Sequence, residues 1–454
     1  MTEKAETAAE GEAPAHSRNP AAAGEHRPEA GPARGGIRGA LRAMEVDMRL
    51  IGMVGALALI WIVFDLFTGG TFITPRNLFN LTVQTASVAV MACGMVFVIV
   101  ARHIDLSVGS VLGFIAMMMG AFQADFIPQY LGFDHPATFV LTILFGVFIG
   151  LIVGALQGFL IGYLTIPSFI VTLGGLLVWR GAAWWVTEGR TIAPLDANFR
   201  VFGGGIGGTL GATWSWVFGA VAIVAIVAFA INNRRMRMHF KFPLKPVWAE
   251  ITNAVVLSGA VVAFVWVMNA YPVPERAARR IAEARGIPIP ESGLDWAQGI
   301  AVPVVVVALV ALAMTYIAQR TKFGRYVFAM GGNPQAAELS GIDTKRMTLY
   351  IFMLMGALAA VSAVIASARL QSAANDLGTL DELRVIAAAV IGGTSLAGGV
   401  GTIYGAILGA LVMQSLQSGM ALIGIQTALQ SIVIGSVLVL AVWIDQVYRK
   451  RIGD

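Results

Sequence analysis

The feature that most restricts this chain is a run of sixty residues, Val385 to Ile444, without one Asp, Glu, Lys or Arg. Shorter charge-free runs cover Val201 to Asn233, Ala297 to Gln319 and Met347 to Ala368. A bilayer core about 30 Å thick is crossed by about 20 apolar residues rising 1.5 Å each, and every one of these runs is long enough. Hydrophobic residues make up 57% of the chain and charged residues 13%, more apolar matter than a soluble core could bury. Outer-membrane strands would alternate over segments of about ten residues with a polar lumen face, a pattern that the sequence does not follow. It predicts an all-α, polytopic integral membrane protein with about 12 transmembrane helices (10 to 12), some short or broken by Gly.

The candidate spans are 49–67, 84–102, 106–124, 137–161, 168–187, 213–232, 250–270, 297–318, 346–368, 382–399, 402–422 and 425–445. With an inside N-terminus flanked by Arg34, Arg38, Arg42 and Arg49, alternation puts the other basic connections on the same side. These are Arg234, Arg235, Arg237, Lys241 and Lys245, the segment Arg320 to Arg346, and Arg449-Lys450-Arg451. The loop 271–296, with Arg276, Arg279, Arg280 and Arg285, is the exception. Span 382–399 is interrupted by Gly392, Gly393, Gly398 and Gly399. It reads either as a half-helix or re-entrant turn lining a pathway, or as glycines that let helices pack closely; the basic C-terminus argues for a crossing. Residues 1–48 read as a disordered cytosolic tail, 49–446 as the transmembrane domain with a cytoplasmic segment at 320–346, and 447–454 as a basic cytosolic tail.

Several classes are disfavoured. Cys93 is the one cysteine, so disulfides within the chain and Cys metal clusters are excluded. The net charge of +5 sits in short loops beside apolar segments, as membrane topology requires, which argues against nucleic acid. The five histidines, at 16, 26, 103, 135 and 239, are scattered rather than clustered. The dipeptide Gly-Lys never occurs, so the chain lacks a lysine-bearing phosphate loop. No catalytic residue, metal site or bound cofactor is expected.

The segment "RTKFGRYVFAMGGNPQAAELSGIDTKR", Arg320 to Arg346, holds a complete helix signal. Asn333 suits an N-cap, Pro334 the first helical position, Gln335 to Ser340 two turns, and Gly341 the stop. A helix that short is marginal in water alone, so it is expected to dock on its own membrane domain or on another protein.

"GRYVFAMGGNPQAAELSGI" resembles the coupling segment of permeases serving bacterial sugar ABC importers of the ribose, arabinose, galactose and xylose group. "GMVFVIVARHIDLSVGS", "IPSFIVTLGGLLVWRG" and "VIAAAVIGGTSLAGGVGTIYGAILGAL" resemble further family segments in the same order, covering roughly residues 50 to 450. "TGGTFITPRNLFNLTVQTAS", the "NNRRMRM" loop and an additional helical pair between about 210 and 296 look most like the xylose permeases of that family. The resemblance implies a permease subunit that passes a monosaccharide, D-xylose foremost, across the bacterial inner membrane, with both termini cytoplasmic. It implies a second copy of the chain, a periplasmic sugar-binding protein, membrane lipid, and a separate sugar ABC ATPase that holds ATP and Mg. It implies ATPase coupling through Gly332, Asn333, Ala336, Ala337, Glu338, Ser340 and Gly341. The chain departs from the family at His103-Ile104-Asp105, where relatives carry an acidic "EID", and at Glu382-Leu383-Arg384, where they read "ELD".

Candidates for the substrate pathway are Asn80, Gln84, Asp105, Ser107, Asn375, Gly392, Gly393, Thr394 and Ser395. Asp105 also suits an N-cap for the third span. Asp65, Arg180 and the Asp381, Glu382, Arg384 group are charges at membrane depth, readable as snorkelling or paired residues or as pathway groups. Amides such as Gln157, Gln414 and Gln417 and the Trp179 ring suit sugar hydroxyls and faces, while Trp184 and Trp185 suit an interfacial belt. An ion-coupled secondary transporter would show a carboxylate relay and an inverted repeat, and a membrane enzyme a cluster of catalytic side chains; neither pattern stands out.

Overall fold

The computed structural model describes residues 48–132, 135–285, 288 and 296–452, so all but the end of the tail expected over 1–48 lies outside the described residues. Among these the protein is helical: α1 (Met48–Phe67), α2 (Pro75–Val100), α3 (Val108–Leu131), α4 (Thr138–Gly162), α5 (Ser168–Thr187), α6 (Gly211–His239), α7 (Val247–Asn269), α8 (Glu275–Arg285), α9 (Val302–Arg320), α10 (Lys322–Gly332), α11 (Pro334–Leu339), α12 (Thr344–Leu370), α13 (Asp381–Ile391), α14 (Ile403–Leu422) and α15 (Thr427–Ile452). Ten are long and apolar enough to cross a bilayer, and α15 carries a shorter apolar stretch, Thr427–Trp443. Helix α2 begins nine residues earlier than the charge-free pattern predicts, because Thr74 accepts a hydrogen bond from the Asn77 amide and Pro75 occupies the first helical turn. Its residues from Val88 to Val100 are buried without interruption, making it the hub of the bundle.

Small residues set the tightest seam. Gly146, Gly150, Gly154, Gly158 and Gly162 recur every four residues on α4. An added Cβ on any of the last four would strike α12 backbone at Gly356, Phe352, Leu349 or Lys345. The two backbones thus run antiparallel in direct contact, as small-residue stripes permit where no hydrophobic force drives helices together. On the other side of α2, α13 and α14 meet in the same way through Gly392 with Gly405 and Ala388 with Gly409.

The contacts also give each helix a direction. Antiparallel pairing of α4 and α2 with α12, of α13 and α2 with α14, and of α6 with α7 places the strongly basic connections at one end, called here the basic face. The expected span at 382–399 is corrected in form. Only Asp381–Ile391 is helical, and the rest of the crossing is made by residues 371–380 on its other side. That stretch runs down α3 from Ala373 beside Gly120 to Gly378 beside Gly109. Eleven residues of α3 rise about 16 Å and the eleven of α13 another 16 Å or so, together matching a bilayer core of about 30 Å. The chain therefore traverses the bundle here as a series of turns followed by a half-helix, and the alternation is kept through α14 and α15. Residues 193–204 and 297–301 cover the opposite face, where Ile192 and Ala373 exchange backbone hydrogen bonds of 2.9 Å.

Candidate functional site

Two features carry the functional reading: an interior meeting of helix starts, and an exposed short helix on the basic face. The first arises because α3 also begins inside the bundle. Residues 101–107 fold back from the end of α2 and are tied down by Thr172 Oγ1 donating to the Ile104 carbonyl and by the Ser168 hydroxyl accepting from the Ile104 amide. Asp105 Oδ1 accepts from the Ser107 amide at 2.8 Å and the Ser107 hydroxyl at 2.7 Å. The cap position itself is Ser107, so Asp105 forms the turn leading into α3 rather than occupying the cap as predicted. Gln157 Nε2 donates to Ser107 Oγ at 2.7 Å and closes this polar group against α4.

The start of α13 comes to the same level. Glu382, only 7% exposed, lies against Gly109, whose missing side chain admits both it and the Gly378 carbonyl. One turn further along α3, Arg180 Nη1 donates to the Asn375 and Leu377 carbonyls, both at 2.9 Å, and pins the segment of turns to α5. Asp381 pairs with Arg384 at 3.0 Å. Two helix N-termini therefore converge in the interior, each with carboxylates at its positive end, which is where discontinuous helices hold polar solutes in transporters. Trp179 Nε1, Asn375 Oδ1 and Glu382 Oε2 are buried and accept or donate no hydrogen bond within the chain. A buried polar atom without a partner costs about 1–3 kcal/mol, so these three atoms are free to bond a water or a polar solute.

Of the nine pathway candidates, Asp105, Ser107 and Asn375 belong to this convergence. Gly392, Gly393, Thr394 and Ser395 instead form the foot of α13 on the basic face, where Thr394 and Ser395 are fully buried. Gln84 is held by Gln414 Nε2 at 2.9 Å on the α2–α14 side, and Asn80 is exposed on α2, so neither reaches the interior group. Arg180 and Glu382, marked in the sequence as charges at membrane depth, join the site through tertiary contacts. Asp65 has a local task, accepting from the Ile73 amide at 3.0 Å in the turn after α1.

The second feature is α11. Asn333 Oδ1 accepts from the Ala336 amide at 3.0 Å, Pro334 follows, and Gly341 ends the helix with φ 83°, its amide bonded to the Glu338 carbonyl. Ala337 is buried against the body, whereas Leu339 is 90% exposed. Leu339 is the most exposed large hydrophobic side chain among the described residues, and on a helix too short to be stable alone it makes α11 a candidate contact surface. Helix α10, capped by Thr321, carries α11. Its last two residues are gripped by Arg102, whose Nε donates to the Gly331 carbonyl at 2.7 Å and whose Nη2 donates to that of Gly332 at 2.8 Å. Gly398 and Gly399, at the foot of α13, pack on the same two glycines, and the Gly399 amide donates to the Val100 carbonyl at 2.9 Å. The end of α2, the base of the exposed helix and the foot of the broken span thus meet at one point.

A many-spanned bundle with a broken interior span is an architecture found among transport permeases. Residues 77–442 match the family described as "Branched-chain amino acid transport system / permease component", and the chain belongs to that family. It is 36% identical over 406 residues to the xylose transport system permease protein XylH of Haemophilus influenzae, covering 89% of this chain and 98% of that protein. It is 35% identical over 420 residues to the Escherichia coli protein of the same description, covering 92% and 96%. The ribose import permease protein RbsC of Escherichia coli is 42% identical over 153 residues, covering 34% of this chain and 48% of its own length. No solved structure matches.

Proposed function

We propose that this chain is the transmembrane subunit of an ATP-driven ABC importer, passing a monosaccharide, foremost D-xylose, across the inner membrane by alternating access. The full-length similarity to two xylose permeases supports the sugar. In this reading the basic face is cytoplasmic, both termini lie there, and two copies of the chain pair with two ATPase subunits that hold ATP and Mg. A periplasmic sugar-binding protein delivers substrate to the opposite face.

The observation that carries the mechanism is the three-way contact at Gly331. Movement of α11 by the ATPase pulls on Gly331 and Gly332, which Arg102 ties to the end of α2 and which Gly398 and Gly399 touch. The pull reaches α13 and, through it, the interior group at Asp105, Ser107, Asn375 and Glu382. The glycines Gly392 and Gly393 are the hinge of that movement. The sugar contacts are amides, hydroxyls and the Trp179 ring, which bind weakly enough to release.

The test is reconstitution of the chain with its ATPase and binding protein in liposomes, measuring uptake of labelled xylose, ribose, arabinose and galactose. Uptake that needs ATP inside, and that favours xylose, is expected. Uptake by this chain alone without ATP would overturn the importer reading.

A further inference from the structure

The α6–α7 hairpin stands at the margin of the bundle. On α6 only Ser215 and Gly219 are buried, and on α7 only Ala249, Val265 and Met268. It meets the body near the far face, where the Ser215 hydroxyl accepts from the Ile300 amide and Tyr271 rests on Phe79. Thr209 and Ala301 pair in a bridge, so α6 and α9 start at one face and both end on the basic face. The stretch Gly211 to Asn233 is charge-free, about 34 Å of helix, which fills a bilayer core of about 30 Å. Everything from Arg234 onward therefore emerges in the headgroup layer.

Five basic residues lie there, Arg234, Arg235, Arg237, Lys241 and Lys245. Two of them brace the turn: Arg234 pairs with Glu250 at 2.7 Å, and Arg237 Nη1 donates to the Pro243 carbonyl at 3.1 Å. Arg235 and Lys241 are exposed. Between them Phe240 and Phe242 are 58% and 63% exposed, in the headgroup layer at the level of the basic residues. A cleft of about 370 Å³ opens beside them, walled by Met236, Arg237, Phe240 and Phe242.

We infer that this turn is a binding site for an anionic phospholipid of the leaflet on the basic face, its phosphate drawn to the exposed Arg235 and Lys241 and the apolar region next to its headgroup lying against Phe240 and Phe242. The combination separates a lipid from other occupants. A soluble anion has no use for two exposed phenylalanines, and a hairpin projecting among lipids at the bundle margin meets headgroups before it meets protein. Clusters of four to eight Lys or Arg just outside a span attract anionic lipid, by about fivefold for each charge.

The experiment uses the full chain in mixed micelles with equal phosphatidylglycerol and phosphatidylcholine, counting retained lipids by native mass spectrometry. The wild type is expected to retain phosphatidylglycerol selectively, Arg235→Gln with Lys241→Gln to lower that selectivity about tenfold or more, and Arg276→Gln with Arg280→Gln, on the opposite face, to leave it unchanged. Phe240→Ser with Phe242→Ser is expected to weaken retention of both lipids at this site. Equal selectivity in the wild type and the Arg235 and Lys241 variant would overturn the assignment. So would displacement of the lipid by millimolar inorganic phosphate, which would mark a free-anion site, or a changed monomer–dimer ratio with lipid retention unaltered, which would mark a protein interface.

Discussion

Arg102 and Gly331 are joined by a 2.7 Å hydrogen bond between residues 229 positions apart, from the end of α2 to the base of the exposed helix. Arg102 adopts φ 65°, an unusual conformation for a side chain-bearing residue, and the bond to Gly332 makes its grip twofold. If this grip transmits movement, Arg102→Ala separates ATP hydrolysis from transport: hydrolysis by the reconstituted complex persists while sugar uptake falls at least tenfold. Arg102→Lys is expected to rescue little, because an ammonium cannot reproduce the planar fork. Equal losses of hydrolysis and uptake in liposomes would rule out this role.

Leu339 projects from α11 into solvent, so its burial on a partner is worth about 1.5–3 kcal/mol, or ten- to a hundredfold in affinity. Leu339→Ser is expected to weaken association with the ATPase by at least tenfold without changing the melting temperature of the permease alone. Association measured by fluorescence titration in detergent checks it; unaltered affinity would place the contact elsewhere.

Glu382 has one carboxylate oxygen without a partner beside Gly109, whereas Asp381 is paired with Arg384. Glu382→Gln preserves shape and is expected to raise the sugar concentration for half-maximal uptake about tenfold, with the complex still assembled. Asp381→Asn instead leaves the partly buried Arg384 without its counter-charge and is expected to lower the melting temperature. A thermal denaturation series with uptake kinetics separates the two effects.

Gly154 sits where α4 touches the Phe352 carbonyl of α12, and a larger side chain forces the helices apart. Gly154→Val is expected to cost about 1–3 kcal/mol, in line with overpacking, whereas Gly174→Val on α5, where an added Cβ meets open space, is expected to be tolerated. Melting temperatures in detergent compare them directly.

Charge-free runs made most of the long helices legible, because a span must keep nearly all charge out of the bilayer core. The cap of α11 was equally plain, since Asn333, Pro334 and Gly341 each act locally. The non-helical half of the broken span was hidden: "QSAANDLGTL", 371–380, carries no hydrophobic signal, and its backbone is satisfied by its own turns and by Arg180 and Ile192 from distant parts of the chain. For the same reason the pathway candidates scattered. Asp105, Ser107 and Asn375 converge, but Gln84 spends its amide on Gln414, and the glycines at 392 and 393 mark the foot of the crossing rather than its middle.

The eleven residues of α13 have a consequence for how the protein is made. A segment entering the bilayer from the ribosome needs about 20 apolar residues to partition alone, and Asp381–Ile391 falls far short. It must enter together with α14, with which Gly392, Gly405 and Gly409 allow backbone contact, so the two behave as one insertion unit. Gly409→Leu, which parts that hairpin, should then fail during synthesis rather than after folding, leaving α15 and the C-terminus stranded on the wrong side. Cysteine accessibility of newly made chains would register that inversion.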